Sequence, residues 1–216
     1  MSSNRTVGIL PVLSLLTGAS LWGVIWYPMR ELEQGGLQGV WLTLILYAAA
    51  LVVSLPRTAR TFPEFLRNPR DLTILLFAAG WTNVAFVLAI LDGNILRVLL
   101  LFYLSPLWAV TMGWLILKEH MSRAAFMSLL FAMLGALIML WNHEVGFPWP
   151  HSQADWLALS AGFAFALSNV LVRKTQEVSV ACKSSVVWIG VVVVALVMIA
   201  LFGLPPRWAS DEEAAA

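Results

Sequence analysis

Residues 93–117 read GNILRVLLLFYLSPLWAVTMGWLIL, and this stretch decides the fold class of the chain. It holds a single charged residue, Arg97, and the apolar run continues to Leu117. About 20 apolar residues are enough for a helix to cross the hydrocarbon layer of a membrane. An arginine at the centre of that layer costs at least about 3 kcal/mol. We therefore expect Arg97 to lie near the membrane edge or to serve a function.

The composition of the whole chain points to the same solvent. Of the 216 residues, 60% are apolar and 12% are charged, whereas an ordinary soluble domain has about 25% charged residues. The net charge of +1 provides no basic field for nucleic acid. The chain has one cysteine, Cys182, and three histidines without the spacing of metal ligands, so we expect neither a metal nor a cofactor.

Apolar stretches long enough, or nearly long enough, to span a membrane recur along the chain. They are 7–29, 37–55, 72–91, 95–117, 124–141, 156–172 and 184–204. Strands are a poor alternative because the runs are long and lack the period-2 alternation of a membrane barrel. We predict an all-α integral membrane protein with seven transmembrane helices joined by short connectors, including a basic loop at 56–71.

The lysine and arginine residues predict the orientation of these helices. With a cytoplasmic N-terminus, ten of the 13 basic residues fall on the inner side. Those ten are Arg5, Arg57, Arg60, Arg67, Arg70, Lys118, Arg123, Arg173, Lys174 and Lys183. Because inner loops carry an excess of basic residues, the N-terminus is predicted to lie inside, and an odd number of spans places the C-terminus outside.

An internal repeat is visible between the first and sixth spans. Residues 16–30 read LTGASLWGVIWYPMR and residues 159–173 read LSAGFAFALSNVLVR, with small residues, an aromatic and a final arginine in register. The two spans run in opposite directions, as inverted repeats require. Residues 7–141 would form one five-helix unit, and residues 155–205 would begin a second, inverted unit before the polar tail 206–216. Small residues such as Gly162 most often allow close helix packing.

These features resemble the drug/metabolite transporter superfamily, EamA type. The resemblance rests on LWG at 21–23, LLLFYLSPLWAVTMGWLILKEHMS at 99–122, MLGALIMLW at 133–141 and ALSNVLVRK at 166–174. It implies a fold of two inverted five-helix repeats and an inner-membrane carrier of small metabolites, often an exporter of amino acids or related compounds. The sequence stops after the seventh span, so a truncated, non-transporting fragment or scaffold is the alternative. Two such chains pairing as a homodimer would be one way to complete the fold.

The polar residues within the spans argue against an enzyme. The seven stretches contain no Asp, Glu, His or Lys, and a membrane-embedded catalyst needs paired acids or a histidine arrangement. We expect a multi-pass permease of a bacterial inner membrane, whose partners are a small-molecule substrate and the lipid bilayer.

Three residues lie at or near the expected pathway in the third and fourth spans. Asn83 and Tyr103 each lie about 13 Å from the outer turn, so both are candidates to line one cavity. An interhelical hydrogen bond is the structural alternative for Asn83. Pro106 lacks an N–H for the Phe102 carbonyl, which permits a kink. That kink serves either a gate or no function at all.

The other candidates lie near the membrane edges or in the repeat. Arg97 either pairs with Asp92 while snorkelling to the interface or attracts an anionic substrate at the outer mouth. Glu119 matches the family's glutamate after the fourth span and is expected to make a structural or gating contact, as a cap or a salt bridge. Trp22 and Asn169 fall near the pathway at corresponding positions of the two repeat units.

Overall fold

The computed structural model describes residues 9–24, 27–28, 31–32, 37, 39–119, 121–141 and 149–202. The described residues form helices and connecting turns, without strands. The chain divides into two compact units, residues 1–38 with 206–216 and residues 39–205. The first unit contains α1 (Ile9–Val24), whose apolar segment Val12–Leu21 coincides with the predicted first span.

The second unit contains the other helices, with a short π-helical turn. They are α2 (Gly39–Arg67), α3 (Pro69–Asp92), α4 (Ile95–Phe102), α5 (Ser105–Met112), the π-helical turn Gly113–Leu117, α6 (Arg123–Leu140), α7 (Gln153–Lys174) and α8 (Val180–Phe202). Five segments here are long and apolar enough to cross a membrane: Gly39–Arg67, Pro69–Asp92, Ile95–Leu117, Gln153–Lys174 and Val180–Phe202. The helical segment Arg123–Met139 is apolar but shorter. The all-helical membrane prediction is therefore confirmed; five of the seven predicted spans coincide with helices of membrane-spanning length, and the first and fifth overlap shorter apolar helical segments.

Helix α3 lies at the centre of the second unit and packs against α2, α4, α7 and α8. Near its N-terminus, Leu72 and Leu75 are fully buried against α7 and α8. Near its C-terminus, Ala89 packs with Val98 of α4 and Ala158 of α7. Between these clusters, Val84 packs against Val40 of α2 and Val191 of α8. This arrangement buries one face of α3 along its length, while Thr73, Ile74 and Phe77 on another face stay exposed.

A pair of glycines lets the backbones of α3 and α8 approach each other closely. A Cβ added to Gly80 would overlap the carbonyl oxygen of Gly190, and a Cβ added to Gly190 would overlap that of Leu76. Gly162 of α7 has the same role, because its Cβ would lie 2.9 Å from the Phe102 carbonyl oxygen. In lipid, helix association depends on such close packing, so the prediction that Gly162 allows close helix packing is confirmed.

The prediction of a basic loop at 56–71 is wrong for residues 56–67, which are helical. Helix α2 continues to Arg67 and contains Pro56 and Pro63 in its interior. Hydroxyl groups near these prolines donate to backbone carbonyls three or four residues earlier. Ser54 donates to Ala50, Thr58 donates to Ser54, and Thr61 donates to Thr58. A helix of 29 residues is about 43 Å long, longer than the hydrocarbon layer of about 30 Å. Its last turns therefore extend past the layer.

The glycine contact between α3 and α8 gives a stability prediction. Gly190→Ala should destabilise the protein by about 1–3 kcal/mol or more, because the helices must separate to admit the methyl group. The measurement is thermal unfolding of the purified protein in detergent. Gly135→Ala is the matched control, since nothing lies within 4 Å of its Cβ position on α6. It should be neutral or slightly stabilising through helix propensity. Equal melting temperatures for the two variants would contradict the packing argument.

Candidate functional site

The fourth span is broken near its middle. Helix α4 ends at Phe102, Tyr103 and Leu104 form a turn, and α5 begins at Ser105 with Pro106 in its first turn. Tight backbone bonds close the turn, from Leu104 N–H to Leu101 at 3.2 Å and from Leu107 N–H to Leu104 at 3.0 Å. The predicted kink at Pro106 is therefore an interruption of the helix. Because proline has no N–H, Pro106 cannot bond the Phe102 carbonyl, and Gly162 leaves room for that carbonyl against α7.

Aromatic rings surround this break. The Phe102 ring lies 4.6 Å from Phe86 of α3 and 5.2 Å from Phe165 of α7, between ring centroids. The Tyr103 ring lies 6.3 Å from that of Phe102, between centroids, and 62% of the Tyr103 surface is exposed. Non-helical backbone is tolerated at membrane depth only where protein or a water-filled cavity covers it. Here Phe86 and Phe165 cover the Phe102 side of the break, and Tyr103 is on its open side.

Trp108 lies one turn beyond the break and carries an unsatisfied donor. Its ring packs edge-on against Phe163 of α7 at 5.6 Å. Its indole N–H is buried and has no hydrogen-bond partner among the described residues. A buried donor left unpaired costs about 1–3 kcal/mol. A ligand acceptor at this position would recover that free energy.

A cavity of about 440 Å³ lies between α3 and α7. Its lining combines aromatic and apolar side chains with two hydroxyls: Thr73, Ile74, Phe77, Ala78, Trp81, Ser160, Phe163, Ala164 and Leu167. The Trp81 indole donates to the Ser160 hydroxyl at 3.1 Å, and Ser160 donates to the Leu157 carbonyl at 2.9 Å. Phe163 lies between the cavity and Trp108, because it lines the cavity and its ring packs against that of Trp108.

The side-chain amide of Asn83 is held by hydrogen bonds to other residues of the bundle. The Tyr47 hydroxyl of α2 donates to its Oδ1, and its Nδ2 donates to the Ala79 carbonyl at 2.8 Å. Both functions of the amide are thus satisfied within α2 and α3. Neither Asn83 nor Tyr103 lines the cavity between α3 and α7, so the structure does not bring these two residues together there. Asn169 is exposed, and its Nδ2 donates to Phe165 of its own helix at 2.9 Å. The Trp22 side chain lies outside the described part of the structure.

Arg97 forms a salt bridge, but not with Asp92. Its Nε donates to both carboxylate oxygens of Asp155, at 3.0 and 2.9 Å, and its Nη2 donates to the Trp149 carbonyl at 2.7 Å. Asp155 also accepts the N–H groups of His151 and Ser152 in the capping box that begins α7. The side chain of Asp155 is 4% exposed and that of Arg97 is 28% exposed. We call this the outer clamp, because it joins the start of α4 to the start of α7.

Glu119 makes a salt bridge at the other end of the bundle. The π-helical turn ends at Lys118, which adopts a left-handed conformation with φ of 56°. Glu119 then contacts Arg173 of α7 at 2.9 Å, with side chains 46% and 61% exposed. Lys174 contacts Asp71 of α3 at 2.9 Å. These two pairs, the inner contacts, hold the C-terminal end of α7. Of the two contacts predicted for Glu119, the structure has the salt bridge.

Within the described residues, no group of three or more His, Cys, Asp or Glu side chains is placed to hold a metal ion. The polar groups of the site are instead neutral donors and hydroxyls in an apolar lining. Neutral polar groups in an apolar lining are typical of small-molecule binding sites.

Comparison with known proteins assigns the family. Residues 9–141 match the EamA-like transporter family. The chain belongs to this family. It is therefore a multi-pass membrane protein of a transporter family, not of an enzyme family.

Relatives of this chain agree with that assignment. Protein RarD of Salmonella typhi is 25% identical over 174 residues, which cover 76% of this chain and 54% of the relative. Protein RarD of Streptomyces exfoliatus is 23% identical, over 71% and 48% of the two chains. An uncharacterized transporter of Pseudomonas aeruginosa is 27% identical, over 54% and 37%. The chain spans about half the length of the RarD proteins it matches. No solved structure matches it.

Sequence reasoning missed Asp155, Trp108 and Ser160. An acidic residue at the start of a span was a usable signal for Asp155, because an arginine at the same membrane depth needs a partner. Trp108 gave no such signal, since an indole in an apolar run is ordinary until its N–H is seen to be unpaired.

The outer clamp and the inner contacts should differ in the coupling free energy of their salt bridges. In a double-mutant cycle, Arg97→Gln and Asp155→Asn should show a coupling free energy of about 1–3 kcal/mol, because the pair is charged and the Asp155 carboxylate is almost fully buried. Unfolding in mixed micelles measures it. The matched control is Glu119→Gln with Arg173→Gln, whose exposed side chains should show a smaller coupling. A clamp coupling no larger than that of the control would refute the clamp.

Proposed function

We propose that the chain acts as a secondary transporter that exports small metabolites, such as amino acids or related compounds, across a bacterial inner membrane. The observation that carries this proposal is the helix break at Tyr103–Leu104, in a protein of a transporter family. Transporters build their binding sites near mid-membrane from discontinuous helices. In the 23-residue segment Ile95–Leu117, this break lies about 12 Å from the outer end.

The binding residues we propose adjoin this break. The Trp108 N–H is an unpaired donor that a carboxylate or carbonyl oxygen of a substrate would satisfy. Tyr103 offers an exposed hydroxyl on the same span, and Pro106 maintains the break. The neighbouring cavity between α3 and α7 has apolar walls suited to a metabolite side chain. In this proposal Asn83 supports the pathway by fixing α2 to α3. Asn169 and Trp22 are proposed pathway residues because they occupy corresponding positions in the two repeat units.

The two ends of α7 are the proposed gates. The outer clamp closes the side of Arg97 and Asp155, and the inner contacts, with Glu119, close the opposite side. Alternating access requires that one end open while the other stays closed. In this proposal Arg97 gates the pathway through Asp155, and a substrate anion would compete with that carboxylate when the outer end opens.

The orientation we propose places the N-terminus in the cytoplasm. The C-terminal end of α2, the N-terminal end of α3, the C-terminal end of α7 and the N-terminal end of α8 lie together, linked by Glu64–Ser179 and Asp71–Lys174. Basic residues collect at this end: Arg67, Arg70, Arg173, Lys174 and Lys183. At the opposite end, Arg97 is paired with Asp155. This asymmetry supports a cytoplasmic location for the basic end.

The orientation has its own test. Alkaline phosphatase fused after Ala216 should be active, and green fluorescent protein fused there should be dark, since both report export of the C-terminus. A fusion after Gln176, in the connector between α7 and α8, should give the reverse pattern. A fluorescent C-terminal fusion would overturn the proposed topology.

The transport proposal is tested with the chain reconstituted alone in lipid vesicles. Efflux of a mixture of labelled amino acids should exceed that of empty vesicles. Trp108→Phe keeps the ring but removes the N–H, so it should raise KM about 5- to 100-fold, the equivalent of a lost buried hydrogen bond. Trp114→Phe is the matched control, because Trp114 is 59% exposed on the π-helical turn. It should leave KM unchanged.

The alternative function is a non-transporting fragment or scaffold, and the half-length match to the RarD proteins favours keeping it as a second candidate. Folded, vesicle-inserted chain that moves no amino acid would support this alternative and reject the exporter. Transport that Trp108→Phe leaves intact would retain the exporter and remove Trp108 from its binding site. A chain that is active only as a crosslinked pair would show that two copies complete the pathway.

A further inference from the structure

A second cavity, of about 600 Å³, lies between α2 and α8, away from the proposed pathway. It is lined by Ala49, Ala50, Val53, Ser54, Pro56, Arg57 and Trp188. Val53 is 84% exposed, so the cavity opens sideways from the bundle. Its other wall residues are small or apolar, and Arg57 and Trp188 are the two large side chains that carry N–H donors.

Hydrogen bonds between the two helices fix the depth of each wall residue. The Cys182 thiol donates to the Thr61 carbonyl, and the Ser185 hydroxyl lies 2.9 Å from that of Thr58. The helices are therefore antiparallel, and the same register places Trp188 level with Leu55. The indole lies about one half-turn on the hydrocarbon side of Arg57.

Arg57 lies at the boundary of the hydrocarbon layer. Eighteen residues separate it from Gly39, the first residue of α2, which is about 27 Å along a helix and close to the thickness of about 30 Å. Ala49, Ala50 and Val53 then lie within the layer, on the path of an acyl chain. Tryptophan side chains are enriched at the membrane–water boundary, and Trp188 lies close to the level of Arg57.

Two donors at this boundary lack partners. Arg57 has neither an ion pair nor a hydrogen bond among the described residues, and the Trp188 indole likewise has no hydrogen-bond acceptor there. The cavity thus joins a charged end that favours a phosphate to an apolar groove that favours a hydrocarbon chain.

We propose that this cavity is a binding site for an anionic phospholipid, with its phosphate on Arg57 and an acyl chain along Ala49, Ala50 and Val53. The Trp188 indole donates to a headgroup or ester oxygen. A membrane-embedded cavity with basic residues at the interface has the chemistry for an anionic headgroup. A zwitterionic lipid fills the same groove but cancels much of the attraction to Arg57 with its own cation.

The test measures lipid binding to the full chain in detergent micelles by native mass spectrometry. Phosphatidylglycerol should bind about 5-fold more tightly than phosphatidylcholine, since one basic residue near an anionic headgroup contributes about that factor. Arg57→Gln should remove this preference and leave phosphatidylcholine binding unchanged. Arg70→Gln makes the same charge change at the start of α3, outside the cavity, and should keep the preference.

A second measurement locates the lipid. Brominated phosphatidylglycerol should quench tryptophan fluorescence, and the part of the quenching lost in Trp188→Phe should saturate at the same lipid concentration as binding. Inorganic phosphate should not compete, because it lacks the acyl chain. Equal affinity for the two lipids, equal effects of Arg57→Gln and Arg70→Gln, or displacement by inorganic phosphate would each overturn the lipid site. None of these readouts depends on transport, so their failure is separate from failure of the proposed exporter.

Discussion

The structure depends on one constraint: lipid offers no partner to a backbone N–H or carbonyl. Each described segment of membrane length is helical for that reason, and close helix contacts occur where a glycine removes the side chain. The Gly80–Gly190 contact brings α3 and α8 together backbone to backbone. The same constraint explains why the break at Tyr103–Leu104 is placed against α7. The Phe102 carbonyl lacks its Pro106 partner, so protein rather than lipid must lie beside it, and Gly162 provides the space.

Helix α7 connects this break to both ends of the bundle. Its first turn holds Asp155 of the outer clamp, its middle carries Gly162 and Phe165 beside Phe102, and its last turn carries Arg173 and Lys174. Any displacement of α7 therefore changes the environment of the break together with the salt bridges at its ends. A substrate bound near Trp108 would act on the same helix through Phe163. In the proposed transporter, binding and gating would therefore be linked through α7.

The sequence predicted the parts of this structure that depend on local composition. The apolar runs located the helical segments, and Pro106 located the break, because both signals lie within a few residues of the feature. Long-range partners were not predictable in this way. Asp92 is near Arg97 in sequence, yet Asp155, 58 residues away, is the carboxylate that packing delivers. Helix α2 continues through Pro56 and Pro63, although each proline removes a backbone hydrogen bond from the helix. The roles of Asn83, Tyr103 and Asn169 in transport stay predictions.

The salt bridges at the two ends of α7 differ in their surroundings, and this difference bears on which end opens. Asp155 is almost fully buried and accepts backbone N–H groups as well as Arg97, so separating the clamp leaves a shielded charge without its cation. Glu119 and Arg173 are both largely exposed, and water replaces their contact when it breaks. Breaking a shielded pair costs more than breaking an exposed one. The described conformation is therefore held more firmly at the Arg97–Asp155 end of α7 than at the Glu119–Arg173 contact.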